Sequence, residues 1–281
     1  MGYFIKMSSL FSLMTSSNPN IGIFEALDTY KTPEDKFVPP EVLEMQKKDN
    51  VKLRNNLFRQ SLQENVIPED HVEYLKSLKA GGFEPHVIYD IGSCILQWSK
   101  EARKIWPDAK IIAFDASSSL EFLYNKKRVD DYSIGVLTDE DDKEVTFYQH
   151  DIYQTGNSYY KEIGGKNSET LFNKHTAYTR RGMTLDTLVA EREFPLPDLV
   201  KIDVQGAEKD VVRGGIKTIL NCKHLIVEMQ REQYNEGAPL VDETLPYIES
   251  VGFHCKAPLF CDNGADGDYG FERLDGEFAL V

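Results

Sequence analysis

From Val87 onward the chain alternates short apolar runs with amphipathic stretches. Val87 to Ile91, Lys110 to Asp115, Tyr132 to Leu137, Leu199 to Val204 and His224 to Met229 are brief and dominated by apolar side chains. A strand with one wet face would alternate strictly, so runs of this kind read as strands covered on both faces. Between them, Gln97 to Ile105, Thr184 to Leu188, Glu208 to Val212, Ile216 to Leu220 and Leu245 to Val251 carry helical spacing. The alternation predicts an α/β fold with a mostly parallel sheet between helical layers. Glu144 to Tyr148 alternates like an added strand or hairpin, and Glu277 to Val281 reads as a terminal strand.

Upstream the pattern differs. Residues 1–40 are rich in Ser, Asn, Pro and Lys and show no sustained period, as expected of an irregular arm. Residues 41–82 turn helical. Val42, Met45, Val51, Leu53 and Leu57 fall on one face behind Pro39-Pro40, and a second helix from Pro68 to Lys79 would turn Val72, Leu75 and Leu78 inward before Gly81-Gly82. This extension is read as a lid, a dimer contact or simple packing on the sheet edge; residues 83–281 form the main domain.

Composition narrows the function. With 41% hydrophobic and 28% charged residues in 281, the chain has the make-up of a soluble globular protein. Its formal net charge of -14 argues against a nucleic-acid partner or an anionic membrane. Cys94, Cys222, Cys255 and Cys261 show neither zinc-ligand pairing nor the density of a disulfide framework, and are expected as reduced thiols in a cytoplasmic setting. Met1 to Met14 lacks a small-residue cleavage site, and no run approaches the roughly 20 apolar residues that span a bilayer.

The candidate chemistry gathers at strand ends. Leu199 to Val204 halts at Gly206, and Glu208 opens a helix, so Asp203 and Glu208 flank a strand-to-helix corner, where open α/β sheets bind ligands. Asp90-Ile91-Gly92-Ser93 ends the first strand with a glycine that permits close approach. Asp115 ends the next strand at the spacing of a carboxylate that grips ribose hydroxyls. The full Gly-x-Gly-x-x-Gly fingerprint is absent, since Ser93, Cys94, Ile95 and Leu96 follow Gly92. A pyrophosphate would want more glycine, so a nucleoside without phosphates, S-adenosylmethionine, fits better than NAD. The polar stretch Gln149 to Thr179, with His150 and His175, is the expected substrate loop.

With these residues assembled, the region from His86 to Val281 resembles the FkbM family of S-adenosylmethionine-dependent methyltransferases. The resemblance is carried by Asp90-Ile91-Gly92, Asp115, Val136-Leu137-Thr138-Asp139, Thr184-Leu185-Asp186-Thr187-Leu188, Lys201-Ile202-Asp203-Val204-Gln205-Gly206-Ala207-Glu208 and Val227-Glu228. Three positions depart from the family pattern. Gly92 is not followed by Ala-Asn-x-Gly, Asp115-Ala116 stands where Glu-Pro usually ends the second motif, and Gln205 replaces a common Glu.

The resemblance implies a class I, Rossmann-like methyltransferase sheet of seven strands with the last antiparallel, and O-methylation of a sugar or glycan hydroxyl. In that reading Asp90, Gly92 and Ser93 pass beneath the methionine part of the cofactor, Asp115 and Ala116 meet its ribose, and Thr138 and Asp139 lie near the adenine. Asp203 would be the base, or the ligand of an optional magnesium ion that is not favoured, with Glu208, Glu228, His150 and His175 as further catalytic candidates. A nicotinamide-dependent sugar oxidoreductase and a non-catalytic methyltransferase-like interaction module are the competing readings.

Overall fold

The computed structural model describes residues 40–64, 66–150, 154–164 and 175–274, without the side chains of residues 40–50, His150 and His175. The chain divides at Lys52/Leu53, and the sheet, the core and the site all lie in the larger unit, Leu53–Val281. A first helix, α1 (Pro40–Ser61), crosses that division. It is followed by α2 (Glu69–Ala80), β1 (Val87–Ile91), α3 (Gln97–Ile105), β2 (Lys110–Asp115) and β3 (Asp131–Ile134). Next come β4 (Glu144–His150), β5 (His175–Arg181), α4 (Leu185–Arg192), β6 (Leu199–Ile202), α5 (Glu208–Gly214) and α6 (Ile216–Ile219). The described chain closes with β7 (His224–Gln230), α7 (Val241–Ser250), β8 (Phe253–Asp262) and β9 (Asp266–Arg273).

Seven strands form one sheet in the order β3-β2-β1-β6-β7-β9-β8. The first five run parallel, and β9 enters antiparallel between β7 and β8. This is the class I methyltransferase arrangement. β4 and β5 form a separate antiparallel pair.

Two hydrophobic clusters explain why the strands read as unbroken apolar runs. Tyr89 and Ile91 of β1, Ile112 and Phe114 of β2, Val200 and Ile202 of β6, and Leu225 and Val227 of β7 belong to one cluster. Their neighbours Ile88, Ile111, Ala113, Leu199 and Ile226 belong to the other. Successive side chains point to opposite faces, so each strand supplies both cores in turn.

The boundaries differ from the sequence reading in places. β3 stops at Ile134, and Leu137 makes only an isolated bridge to Met183. β6 stops at Ile202 because Gln205 and Gly206 take positive φ values of 57° and 99°. α7 begins at Val241 and carries Pro246 within it. The terminal strand expected at Glu277 to Val281 lies outside the described residues; the β8–β9 hairpin completes the sheet.

The N-terminal extension supplies core. Leu57 of α1 and Leu75 of α2 are buried in the second cluster, whereas Val51 remains 51% exposed. Tyr74 stacks on Phe260 of β8 with ring centroids 4.3 Å apart. Gly270 of β9 lies under that tyrosine, where a Cβ would overlap its hydroxyl.

Because Leu75 has no exposure, Leu75→Ala should cost about 2–5 kcal/mol, read as a lower urea midpoint at unchanged slope. A loss below about 0.5 kcal/mol, the range of surface positions, would show that α2 contributes nothing to the core.

Candidate active site

The carboxyl ends of β1, β2, β6 and β7 open onto one cavity of about 240 Å³. The neighbours of β1 on either side, β2 and β6, are reached by crossovers in opposite directions, which makes this end of β1 the switch point where such sheets bind ligands. Ile91, Phe114, Val136, Leu137 and Phe147 give the cavity an apolar wall, and Asp115 and Ala116 line it beside Gly92. A second cavity of about 330 Å³ shares Thr155, Gln205 and Glu228 with the first and adds Glu162, Asn263 and Asp266.

The loop after β1 is tightly drawn. Gly92 has φ 81°, and a Cβ there would overlap the Asp203 carbonyl, so β1 and β6 exits touch backbone to backbone. The Gly92 and Ser93 amides both donate to the Phe114 carbonyl, at 2.9 and 3.1 Å. Asp115 accepts from the amides of Cys94 and Ser117, at 2.8 and 2.7 Å. Burial nevertheless pushes its carboxyl up to about 6. Asp90 is fully buried; Ser99 Oγ donates to its Oδ2 at 2.6 Å, and its Oδ1 has no partner among the described residues. Burial raises this carboxyl as well, against the nearby Lys201 charge.

At the other end of the cavity, Lys201 Nζ lies 2.7 Å from Asp203 Oδ2, and Gln205 Nε2 donates to Asp203 Oδ1 at 3.0 Å. The same Nε2 donates to Glu228 Oε2 at 2.6 Å. Burial alone would raise Asp203, but the Lys201 ammonium and these hydrogen bonds hold it down at about 2. Glu228 goes the other way, raised well above the carboxylate range by burial and then by the Asp203 charge. Two carboxyls thus share a site with one proton between them, and Glu228 keeps it.

The residues singled out in the sequence fall into three groups. Gly92, Asp115, Ala116, Asp203 and Glu228 line the cavity. Asp90, Ser93 and Glu208 are buried away from its lining. Glu208 Oε1 accepts from the amides of Val204 and Gly206, at 2.9 and 3.1 Å, and shapes the turn. Thr138 and Asp139 also stay out of the lining. Thr138 Oγ1 donates to the Glu140 carbonyl, and Asp139 pairs with Lys143 and Arg213. His150 and His175 pair at the end of the β4–β5 ladder, and their side chains lie outside the described residues.

The stretch expected as the substrate loop reaches both cavities. Gln154, Thr155, Asn157, Ser158 and Tyr159 reach the first cavity, Gly156 and Glu162 the second. The Gly156-Asn157-Ser158 turn signal was the available clue.

A family model, the methyltransferase FkbM domain, matches residues 90–255. The chain belongs to that family and is an S-adenosylmethionine-dependent methyltransferase. None of the curated protein sequences matches it. Among solved structures, the O-methyltransferase from Bacillus cereus in complex with SAH is 11% identical, with 89% of this chain and 96% of that one covered and a TM-score of 0.43. The O-methyltransferase TomG from Streptomyces achromogenes, in complex with SAM, is 9% identical over 89% and 95%, with a TM-score of 0.40. The precorrin-6y C5,15-methyltransferase from Geobacter metallireducens is 13% identical over 75% and 92%, with a TM-score of 0.38.

The cavity suits such a cofactor. It pairs an apolar wall with the Asp115 carboxylate, and an Asp90 oxygen with no partner among the described residues lies two residues from Gly92 in its lining. The donor set does not suit a magnesium ion at Asp203, whose oxygens already meet an ammonium and an amide; a hard dication there would face Lys201.

Burial raises Glu208 from 4.5 to about 7. The native state then holds this proton more tightly than the unfolded chain, so its contribution to stability declines as pH rises from about 4.5 through about 7. Glu208→Gln keeps an acceptor for both amides without a charge to bury, and should flatten that segment of the stability–pH curve in urea titrations. An unaltered slope would mean that Glu208 is not the group responsible.

Proposed function

We propose that this methyltransferase acts on a hydroxyl of a sugar or glycan, with Glu228 as the general base. The observation that carries the reading is the opposite displacement of two adjacent carboxyls, Asp203 held ionised and Glu228 held protonated, at the junction of the two cavities. Groups pushed apart in this way mark acid–base roles.

S-adenosylmethionine supplies an electrophilic methyl group when bound. Asp115 would accept from its ribose hydroxyls, and Ile91, Phe114, Val136 and Leu137 would enclose its adenine. Glu228, once ionised, would take the proton of the acceptor hydroxyl, a role worth about 10²–10⁴-fold. Asp203 would orient the pair through Gln205 and keep its own charge. Support for a polyhydroxyl acceptor comes from the second cavity, where Thr155, Glu162, Gln205, Asn263 and Asp266 offer hydrogen-bonding groups in several directions. Holding the acceptor in line accounts for the remaining rate gain.

The test is methyl transfer to a panel of sugar acceptors, with product mass and S-adenosylhomocysteine release as readouts. Glu228→Gln should lose about 10²–10⁴ of the rate while binding S-adenosylhomocysteine as the parent does. In the parent the rate should climb with pH as Glu228 ionises, above the ordinary carboxylate range, and that limb should vanish in the variant. Full activity in Glu228→Gln would remove it from the base role, and methylation of amines but no hydroxyls would overturn the acceptor class.

Asp115→Asn should weaken S-adenosylhomocysteine binding by about 1.5–3 kcal/mol, the worth of a hydrogen bond to a charged group. In the parent, affinity should rise as pH passes through about 6, where Asp115 ionises. Calorimetry showing equal affinity in both proteins would exclude Asp115 from the cofactor site.

A further inference from the structure

We propose that His71, Cys261 and Asp268 form a transition-metal site, of the kind that takes zinc, which fastens α2 to the β8–β9 hairpin. One ligand atom from each of the three lies within 4.8 Å of the other two. All three residues are buried, at 5%, 2% and 1% exposure. They come from α2, β8 and β9, so a bound ion would tie α2, which meets the hairpin through side-chain contacts, to two strands that already pair backbone to backbone. None of them lines the cavities of the methyl-transfer site, and the inference stands apart from the acceptor reading.

Imidazole, thiolate and carboxylate are the ligand types zinc uses, and three protein ligands leave a fourth tetrahedral position. Charge supports a dication. A thiolate and a carboxylate sum to two negative charges in a dry setting, and a neutral imidazole adds none, so the loaded site is neutral overall.

The three side chains are already held close by contacts among themselves and with Asn263. His71 Nε2 lies 2.9 Å from Asp268 Oδ2, while the other ring nitrogen, Nδ1, is buried with no partner among the described residues. The Cys261 thiol donates to Asn263 Oδ1 at 3.4 Å, an ordinary distance for sulfur. Asn263 Nδ2 donates to Asp268 Oδ2 at 3.2 Å, an arrangement that orients a ligating carboxylate from outside the coordination shell. On binding, the Cys261 S–H bond breaks, its proton leaves to solvent, and a metal–sulfur bond forms with no change of oxidation state.

The alternative is a metal-free hydrogen-bonded trio, and a cobalt titration separates the two. The full chain, reduced and stripped with a chelator, is titrated with cobalt(II) and then with zinc(II). One equivalent of cobalt should produce a tetrahedral d–d spectrum with a thiolate-to-cobalt charge-transfer band, zinc should bleach it, and zinc should raise the thermal midpoint. Cys261→Ser should abolish the charge-transfer band, and His71→Gln should weaken zinc binding at least about tenfold. Absence of a stoichiometric cobalt spectrum in the parent overturns the proposal whatever the variants do. So does a charge-transfer band that persists in Cys261→Ser, which would assign the metal to another thiol.

Discussion

Lys201 carries its ammonium into the middle of the sheet, where its side chain retains 6% exposure. An isolated ion at such a place costs several kcal/mol even after relaxation. The cost is offset by Asp203 at 2.7 Å and by the more distant carboxyls of Asp90 and Asp268, which hold the lysine above its ordinary range against the pull of burial. Asp203, Asp90 and Asp268 are thus arranged about that one cation. Because Asp203 is claimed by it, the next carboxyl outward, Glu228, faces a fixed negative charge and retains its proton. A single buried pair therefore divides two chemically similar groups into a permanent anion and a titratable acid.

The same end of the sheet is held in shape by its loops. Gly206, at φ 99°, leaves no room for a side chain: a Cβ would meet Ala238 at 2.7 Å and Gln230 Nε2 at 3.0 Å. The turn after β6 is thereby pressed against residues that follow β7. Tyr159 and Tyr160 both donate to Asp210 Oδ2, at 2.8 and 2.9 Å, which moors the described stretch between β4 and β5 to the first turn of α5. Asn235 Nδ2 then donates to the Tyr160 carbonyl at 2.7 Å. Placement of the two carboxyls thus depends on backbone turns and on polar contacts far apart in sequence.

That distinction explains what could be read in advance. Parallel strands buried on both faces announce themselves as apolar runs, and β1, β2, β6 and β7 fall where those runs stand. The Thr184-Leu185-Asp186-Thr187-Leu188 motif was visible, but its purpose was not. Thr184 Oγ1 accepts from the Thr187 amide as an N-cap, and Asp186 accepts from the Lys217 and Thr218 amides at 3.0 and 2.8 Å, so it joins two helices and lines neither cavity. Glu208 is similar, a carboxylate consumed by its own turn. Local spacing cannot tell a capping acid from a catalytic one, because both sit at the same strand-to-helix corner. The grouping of His71 with Cys261 and Asp268 was equally hidden, since it arises only when α2 folds back on the last two strands.

The departures from the family pattern after Gly92 have a backbone meaning. Cys94 and Leu96, which stand where the family has Asn and Gly, take φ values of 43° and 65°, in the left-handed region that those two residues tolerate best. Each replacement costs about 1–2 kcal/mol of backbone strain. Leu96 offsets its share by burying its side chain to 3% exposure in the second cluster, a gain of about 1.5–3 kcal/mol. Cys94 is held by the hydrogen bond its amide donates to the Asp115 carboxylate and by the Tyr124 hydroxyl, which donates to its carbonyl. The turn therefore persists without its usual residues, because core packing and the Asp115 carboxylate enforce the trace that asparagine and glycine would have adopted unaided.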